Sequence, residues 1–167
     1  MLKLKKNKPV KEQKVKVAKK SSATDKIFTL LSAYYALELK TRNYHWNVEC
    51  HHFTEYHKFF EEMYDDLADE IDEIAEQIRK LGEKVPATLP NFVAVCEKND
   101  IDMTNRAEKS SDMILCLLDS NNKIIEMIKD LSIELDGKRE YFGTCPLLDE
   151  LLGKREKTSW FLSSMSK

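Results

Sequence analysis

The chain has 167 residues with a net charge of −2, and it contains only four glycines and four prolines. This length suits one domain with a hydrophobic core, and the scarcity of turn-forming residues favours an all-α fold over a β fold. Because no apolar run approaches the roughly 18 residues that a membrane span needs, we expect neither a transmembrane helix nor a signal peptide.

Charge is distributed unevenly along the chain. Residues 1–20 contain nine lysines and one acidic residue, a net charge of +8, whereas the other 147 residues carry 18 basic and 28 acidic side chains, a net charge of −10. Residues 1–21 also lack apolar periodicity, so we predict a disordered arm followed by one domain over residues 22–167. An acidic domain with a basic arm is typical of polyanion-binding proteins. The lysines of the arm are Lys3, Lys5, Lys6, Lys8, Lys11, Lys14, Lys16, Lys19 and Lys20.

The first predicted helix begins near Thr24, which can act as its N-cap. Its apolar residues recur at intervals of three and four, which indicates one buried face. His45 lies at the edge of that face, so we expect its side chain to point inward. The face consists of Ile27, Leu30, Leu31, Tyr34, Leu37, Thr41, Tyr44 and Val48.

A connection at residues 49–53 leads to a second helix, for which Thr54 is the predicted N-cap. Gly82 suits the end of this helix, and Pro86 prevents the helix from resuming. A helix of about 28 residues would be ~42 Å long. Its buried face is predicted to consist of Phe60, Met63, Leu67, Ile71, Ile74, Ile78 and Leu81.

The segment after the second helix is too long for a bare loop, and we predict a short helix around residues 89–95. A third long helix is expected over roughly residues 103–135, ended by Gly137, and a fourth begins at Thr144 and Pro146. Four long helices, with a crossover between the second and third that carries the short extra helix, predict a ferritin-like four-helix bundle. The predicted inward residues are Ile114, Leu117, Ile124, Ile128, Leu131 and Leu135 on the third helix, and Leu148, Leu151, Leu152, Phe161 and Leu162 on the fourth.

All four histidines lie between residues 45 and 57, next to an acidic helix. His57 and Glu61 share one helical face at i,i+4 spacing, and Asp72 and Glu76 form a second such pair. Imidazole and carboxylate groups together are typical ligands of an iron site. The two pairs are roughly 16 Å apart along the helix, so they cannot bind one ion within a single chain.

A di-iron site inside one bundle uses a Glu-x-x-His motif on each of two helices. Here that motif occurs only from Glu49 to His52, in a predicted connection, so the sequence does not support a single-chain di-iron oxygenase. Two chains related by a two-fold axis offer an alternative, because antiparallel second helices would bring the two ligand pairs together. Such an isologous contact creates two equivalent sites per dimer.

The spacing of histidines and carboxylates resembles that of the Dps family, the mini-ferritins also called DNA-binding proteins from starved cells. The pattern is His-x11-His-x3-Asp/Glu, followed eleven residues later by Asp-x3-Glu, and every ligand position holds an allowed residue type. The resemblance covers about residues 24–165. The residues that carry it are Asn43-Tyr44-His45-Trp46-Asn47-Val48, Phe53, His57, Phe60, Glu61, Glu62, Tyr64, Asp65, Leu67, Ala68, Ile71-Asp72-Glu73-Ile74-Ala75-Glu76, Ile78, Leu81, Gly82 and Glu156-Lys157-Thr158-Ser159-Trp160-Phe161-Leu162.

This resemblance implies a ferroxidase whose di-iron sites lie at the two-fold subunit interface. His45, His57 and Glu61 would come from one subunit, and Asp72 and Glu76 would come from its two-fold mate. It also implies a hollow shell of twelve subunits that oxidises Fe(II), with hydrogen peroxide as the preferred oxidant, and stores ferric iron. The ligands suit this chemistry, because imidazole holds Fe(II) while hard carboxylates favour Fe(III).

Several residues beside this pattern have open roles. Trp46, next to His45, is hypothesised to be a local electron donor. His51 and His52 differ from the connection typical of the family, and they are either surface residues or a weak extra metal site. Pro146 stands where the family commonly has an acidic residue, so the family's iron-conducting pore residues cannot be carried over in detail.

Two functions remain. One is iron oxidation and storage, which would protect DNA from oxidative damage, and the other is DNA coating by an architectural protein with a vestigial metal site. The intact ligand set favours the first, and the lysine arm permits non-specific binding of double-stranded DNA in addition. The expected location is the cytoplasm, in association with the nucleoid. In a cytoplasmic chain the four cysteines, which are widely spaced, are expected to be reduced thiols.

Overall fold

The computed structural model describes residues 22–167, and the predicted lysine arm lies outside this range. The helices are α1 (Ser22–Asn47), α2 (Phe53–Lys80), α3 (Leu89–Lys98), α4 (Ser110–Leu135) and α5 (Cys145–Met165), with a 3₁₀ turn at Arg139–Tyr141 before α5. The four long helices form a bundle, and the short α3 lies in the crossover between α2 and α4. The predicted all-α, ferritin-like architecture is therefore confirmed.

The core consists largely of the helical faces that the sequence predicts. Every predicted inward residue of α1 and α4 is buried, and so is every one on α2 except Leu81, which is half-buried. On α5 the predicted position of Phe161 is wrong, because this side chain is 41 % exposed. Its neighbour Leu162 is fully buried, and successive residues of a helix point in different directions. None of the helices in the described part of the chain has the length and apolar character needed to cross a membrane.

Helix α2 ends as predicted but begins differently. It starts at Phe53 after His52, and no side chain caps its first turn, so the prediction that Thr54 is the N-cap is wrong. At the other end, the backbone hydrogen bonds of a Schellman motif close the helix, including one from Gly82 N to Arg79 O at 3.0 Å. Gly82 has a φ of +88°, which residues with a Cβ rarely adopt.

The crossover helix α3 packs on α1. Thr88 is its N-cap, and the Thr88 hydroxyl accepts a hydrogen bond from Asn91 N at 3.3 Å. Phe92 contacts the rings of Phe28 and Tyr35, with centroids 5.5 and 4.4 Å away. The crossover is therefore anchored by aromatic contacts, and the prediction that this helix covers apolar surface is confirmed.

Helix α4 begins at Ser110, later than the predicted start near residue 103. In the connection before α4, the Asp102 carboxylate accepts hydrogen bonds from Thr104 N at 2.9 Å and from Thr104 Oγ1 at 2.7 Å. The buried Lys40 ammonium also donates to Asp102, at 2.7 Å. Burial raises the pKa of Asp102, but the bonds from Lys40 and Thr104 outweigh this effect and hold the pKa well below its ordinary value.

A buried ion pair joins α2 to α5 inside the bundle. Glu70 and Arg155 are each 1 % exposed, and Arg155 Nη2 donates to Glu70 Oε1 at 2.8 Å. Asn121 of α4 donates to Arg155 O at 2.9 Å, and Arg155 Cζ lies 5.8 Å from the ring centroid of Tyr34 on α1. Burial raises the pKa of Glu70, and the positive charge of Arg155 opposes this shift. This polar layer connects all four long helices.

Removing one member of the buried pair should destabilise the fold strongly. In Glu70→Ala the Arg155 charge stays buried without its partner, which typically costs about 3–5 kcal/mol. Thermal unfolding at constant protein concentration should therefore show a clearly lower midpoint. The matched control combines Glu70→Leu with Arg155→Met, which leaves no uncompensated charge and should recover most of the loss. Equal midpoints for Glu70→Ala and the wild-type protein would contradict this role of the ion pair.

Candidate metal centre

Two of the predicted ligands, His45 and His57, lie against each other where α1 ends and α2 begins. His45 Nδ1 donates to His57 O at 2.8 Å, and His57 Nδ1 donates to His45 O at 2.9 Å. A carbonyl oxygen only accepts hydrogen bonds, so Nδ1 carries a proton in both rings. In the neutral rings the lone pair therefore lies on Nε2, which is left available for a metal ion.

The two imidazoles form the centre of an aromatic stack. Their ring centroids are 3.7 Å apart with an angle of 21° between the planes, and Phe53 stacks on His57 at 4.9 Å. Tyr64 lies almost perpendicular to His45, with the centroids 5.2 Å apart. Because His45 is only 7 % exposed, these contacts and its hydrogen bond hold the ring in one orientation. The inward position predicted for His45 is confirmed.

The predicted carboxylate ligands lie at two places along α2. Glu61 is exposed and follows His57 by one helical turn, whereas the exposed Asp72 and Glu76 begin roughly 16 Å farther along the helix axis. Glu76 forms an exposed ion pair with Lys80 at 3.6 Å. In the described part of the chain, no three His, Cys, Asp or Glu side chains are close enough together to hold one metal ion. One chain thus presents two separate partial ligand sets.

A cluster that reaches His45 through Tyr64 was not predicted as part of the site, and it consists of Glu38, Arg42 and Tyr64. The Arg42 guanidinium carbon lies 4.0 Å from the ring centroid of Tyr64, and Arg42 forms an ion pair with Glu38. The hydrogen bond to Glu38 raises the pKa of Arg42, so this side chain stays cationic. The sequence signal that could have identified Glu38 and Arg42 is their spacing, because Glu38, Arg42 and His45 follow one another at intervals of four and three along α1.

Trp46, His51 and His52 take no part in the ring contacts of the histidine pair in the described chain. Trp46 is 63 % exposed, and in the described chain its ring contacts neither His45 nor His57. His51 and His52 are exposed in the connection before α2. The lysine arm lies outside the described residues. The roles assigned to these residues therefore stay predictions.

Comparison with known protein sequences identifies a family and several relatives of this chain. The model of the ferritin-like domain family matches residues 25–167. The DNA protection during starvation protein of Helicobacter pylori strain J99 is 30 % identical over 130 residues, which are 77 % of this chain and 87 % of that protein. The protein of the same name from Brevibacillus brevis is 27 % identical over 133 residues, which are 78 % of this chain and 85 % of that protein.

Solved structures give the same result for the fold. The crystal structure of the Dps protein from Vibrio cholerae O1, a member of a broad superfamily of ferritin-like diiron-carboxylate proteins, matches with a TM-score of 0.80 and 28 % identity. This match covers 87 % of the present chain and 89 % of the Vibrio chain. A Dps protein from Bacillus brevis matches with a TM-score of 0.75 and 25 % identity, over 89 % of this chain and 99 % of that one.

The histidine pair should bind a redox-inert metal ion in the absence of any oxidant. His57→Ala removes one Nε2 ligand, but the main-chain carbonyl that positions His45 remains. The affinity for Co(II), measured by titration of the full-length protein, should fall more than about tenfold, because even residues that only orient metal ligands contribute roughly 10–100-fold. His51→Ala is the matched control, since His51 is exposed and its ring contacts neither member of the pair. Equal weakening in both variants would rule out the assignment.

Proposed function

This chain belongs to the Dps family of mini-ferritins, and we propose that it is a ferroxidase that oxidises Fe(II) with hydrogen peroxide. The ferric product would be stored inside a shell of twelve subunits, and the removal of Fe(II) and peroxide would protect DNA from oxidative damage. The observation that carries this proposal is the reciprocal hydrogen bonding of His45 and His57. It directs the Nδ1 atoms to the backbone and leaves the Nε2 atoms for iron.

Iron is the substrate of the proposed reaction, and five side chains are proposed to bind it. His45, His57 and Glu61 of one subunit would face Asp72 and Glu76 of the two-fold partner, because these two sets are too far apart on one helix to reach the same ions. Imidazole stabilises bound Fe(II) and carboxylates stabilise Fe(III), so the mixed set favours loss of an electron. Two Fe(II) ions supply the two electrons that convert one hydrogen peroxide molecule into two hydroxide ions.

Exposed apolar side chains on α1 and α3 support an assembly of identical chains. Leu39, Leu89 and Val93 are all exposed around a groove of about 360 Å³, which Met103 also lines. Large exposed apolar patches are typical of protein contact sites. We therefore propose that this surface contributes to subunit contacts in a dodecamer, with a native mass of about twelve times 19.5 kDa.

Non-specific binding of double-stranded DNA through the lysine arm is the second part of the proposal. The arm carries a net charge of +8 and the remaining chain −10, so attraction to phosphate must come from the arm. Lysine side chains can neutralise phosphates without reading base edges, and several arms on one shell would act together. Such binding would place the protein on the nucleoid, in the cytoplasm. A purely architectural DNA-coating protein is the competing function, and measured iron oxidation separates the two.

Mixed shells test whether the site is shared between chains. His57→Ala and the double variant Asp72→Asn/Glu76→Gln should each oxidise Fe(II) only slowly, because every site then lacks at least one ligand from one of its two contributing subunits. An equal mixture of the two proteins, dissociated and reassembled together, should regain about a quarter of the wild-type rate of Fe(II) oxidation. Half of the two-fold contacts would pair unlike chains, and each such contact restores one of its two sites.

The control for this experiment is each variant reassembled alone, with native mass spectrometry to verify twelve-subunit shells and mixing. Helix content measured by circular dichroism should match that of the wild-type protein in all samples. No recovery in verified mixed shells would show that the ligands act within one chain. A wild-type rate of Fe(II) oxidation in either of the two proteins reassembled alone would show that its substituted residues do not belong to the site.

The arm can be tested separately from iron chemistry. Deletion of residues 1–20 should abolish gel retardation of unrelated DNA duplexes at low salt, because the acidic remainder repels phosphate. The full-length protein should lose DNA steeply between roughly 50 and 200 mM salt. Replacement of all nine arm lysines by arginine is the matched control, since it keeps the charge and should retain binding. If the truncated shell binds DNA as tightly as the full-length shell, the arm is not the DNA-binding element.

A further inference from the structure

Tyr64 is an oxidisable residue whose ring contacts one of the proposed iron ligands, His45. Its ring lies almost perpendicular to that of His45, at an angle of 86° and a centroid distance of 5.2 Å, and the side chain is half-buried. Among the ring contacts described for the chain, this is the only one that joins a phenol or indole to His45 or His57. Tyr64 lies one turn after Glu61 on α2, so it borders the same ligand set.

The proposed reaction requires an additional electron donor when a site holds only one Fe(II) ion. Hydrogen peroxide requires two electrons for complete reduction, and two bound Fe(II) ions supply them. A site that holds a single Fe(II) supplies one electron, which cleaves the O–O bond into a hydroxide ion and a hydroxyl radical. The second electron must then come from another donor, or the radical escapes.

We propose that Tyr64 supplies this second electron, together with its phenolic proton, to the hydroxyl radical. The O–H bond of Tyr64 breaks, the hydrogen atom forms water with the hydroxyl radical, and a neutral phenoxyl radical remains on Tyr64. The inference rests on the proposed ferroxidase function and assigns one further residue to it. The hydroxyl radical is the oxidant, and no other reactant is needed.

Arg42 determines the form in which Tyr64 is oxidised. Its guanidinium lies 4.0 Å from the ring centroid, where a cation is attracted by the electron-rich ring face. Loss of an electron alone would place a positive ring next to this cation, which electrostatic repulsion disfavours. Loss of the electron and proton together leaves the ring neutral and keeps Arg42 in place. The ion pair with Glu38 holds the guanidinium at this position.

Trp46 is the competing donor, because it follows His45 directly in the sequence. Its ring is 63 % exposed, however, and makes no ring contact with either histidine in the described chain. Tyr64→Phe and Trp46→Phe therefore form a matched pair, since each removes the oxidisable group and keeps an aromatic ring. Tyr64→Phe also retains the ring that contacts His45, so its Co(II) affinity and shell mass should match those of the wild-type protein.

The experiment uses full-length shells loaded with one Fe(II) per site and then mixed with hydrogen peroxide. Rapid freezing and electron paramagnetic resonance should detect a neutral tyrosine radical in the wild-type protein, with a spectrum that narrows when the tyrosines carry ring deuterium. In Tyr64→Phe this signal should be lost, and hydroxyl radical captured by a spin trap should rise several-fold. Trp46→Phe should keep the wild-type signal.

A tyrosine signal of unchanged size in Tyr64→Phe, or its loss in Trp46→Phe, would overturn the proposal. So would equal spin-trap yields in the wild-type protein and Tyr64→Phe. Failure of the underlying function has a different signature: wild-type shells loaded with two Fe(II) per site would then fail to consume one peroxide for every two Fe(II). If that stoichiometry holds and only the Tyr64 results fail, ferroxidase activity stands and Tyr64 has no redox role.

Discussion

The contact between the end of α1 and the start of α2 is the constraint on which the candidate metal centre depends. At this contact each of two histidines uses the main chain of the other helix as its hydrogen-bond acceptor. Main-chain carbonyls do not titrate, and a side-chain substitution does not remove them. The orientation of both imidazoles therefore follows from the position of two helices, and those helices are held by the buried faces of the whole bundle.

Buried polar contacts give this bundle a defined register. Lys40 of α1 donates to Ser120 of α4 at 2.8 Å, and Gln77 of α2 donates to the Thr144 hydroxyl just before α5 at 2.8 Å. Apolar faces tolerate small shifts between neighbouring helices, whereas a buried polar group is satisfied only when its partner is opposite. Thr144 directly precedes α5, and its hydroxyl accepts this bond from Gln77 and makes no capping hydrogen bond to the helix.

The sequence predicts those features that arise from local spacing. The apolar periodicity of α1, α2 and α4 identified their buried faces, and Gly82 marked the end of α2 because only glycine readily adopts the required backbone conformation. The buried charges were missed, because a charged residue in a sequence usually indicates an exposed position. The partners of Lys40 and Arg155 lie 62 and 85 residues away in the chain, and only the folded bundle brings them together.

In the candidate site, too, some features can be predicted from local spacing and others depend on the folded structure. The spacing of His45, His57 and the α2 carboxylates was sufficient to predict a ligand set, and sequence similarity then identified the family. The reciprocal bonds between the histidines could not be predicted, because they depend on where two carbonyl groups lie in space. The contact of Tyr64 with His45 depends on the packing of α1 against α2, which residue spacing along a single helix does not determine.

The separation of the two partial ligand sets along α2 has a consequence for the order of events in a cell. Under the proposed function, a newly synthesised chain holds only part of each iron site and cannot oxidise Fe(II) until it binds a second copy. Oxidation then cannot begin before the shell that stores the ferric product has started to assemble. Protein concentration acts as a switch on the chemistry, since dilution that separates the chains would stop iron turnover without altering a single residue.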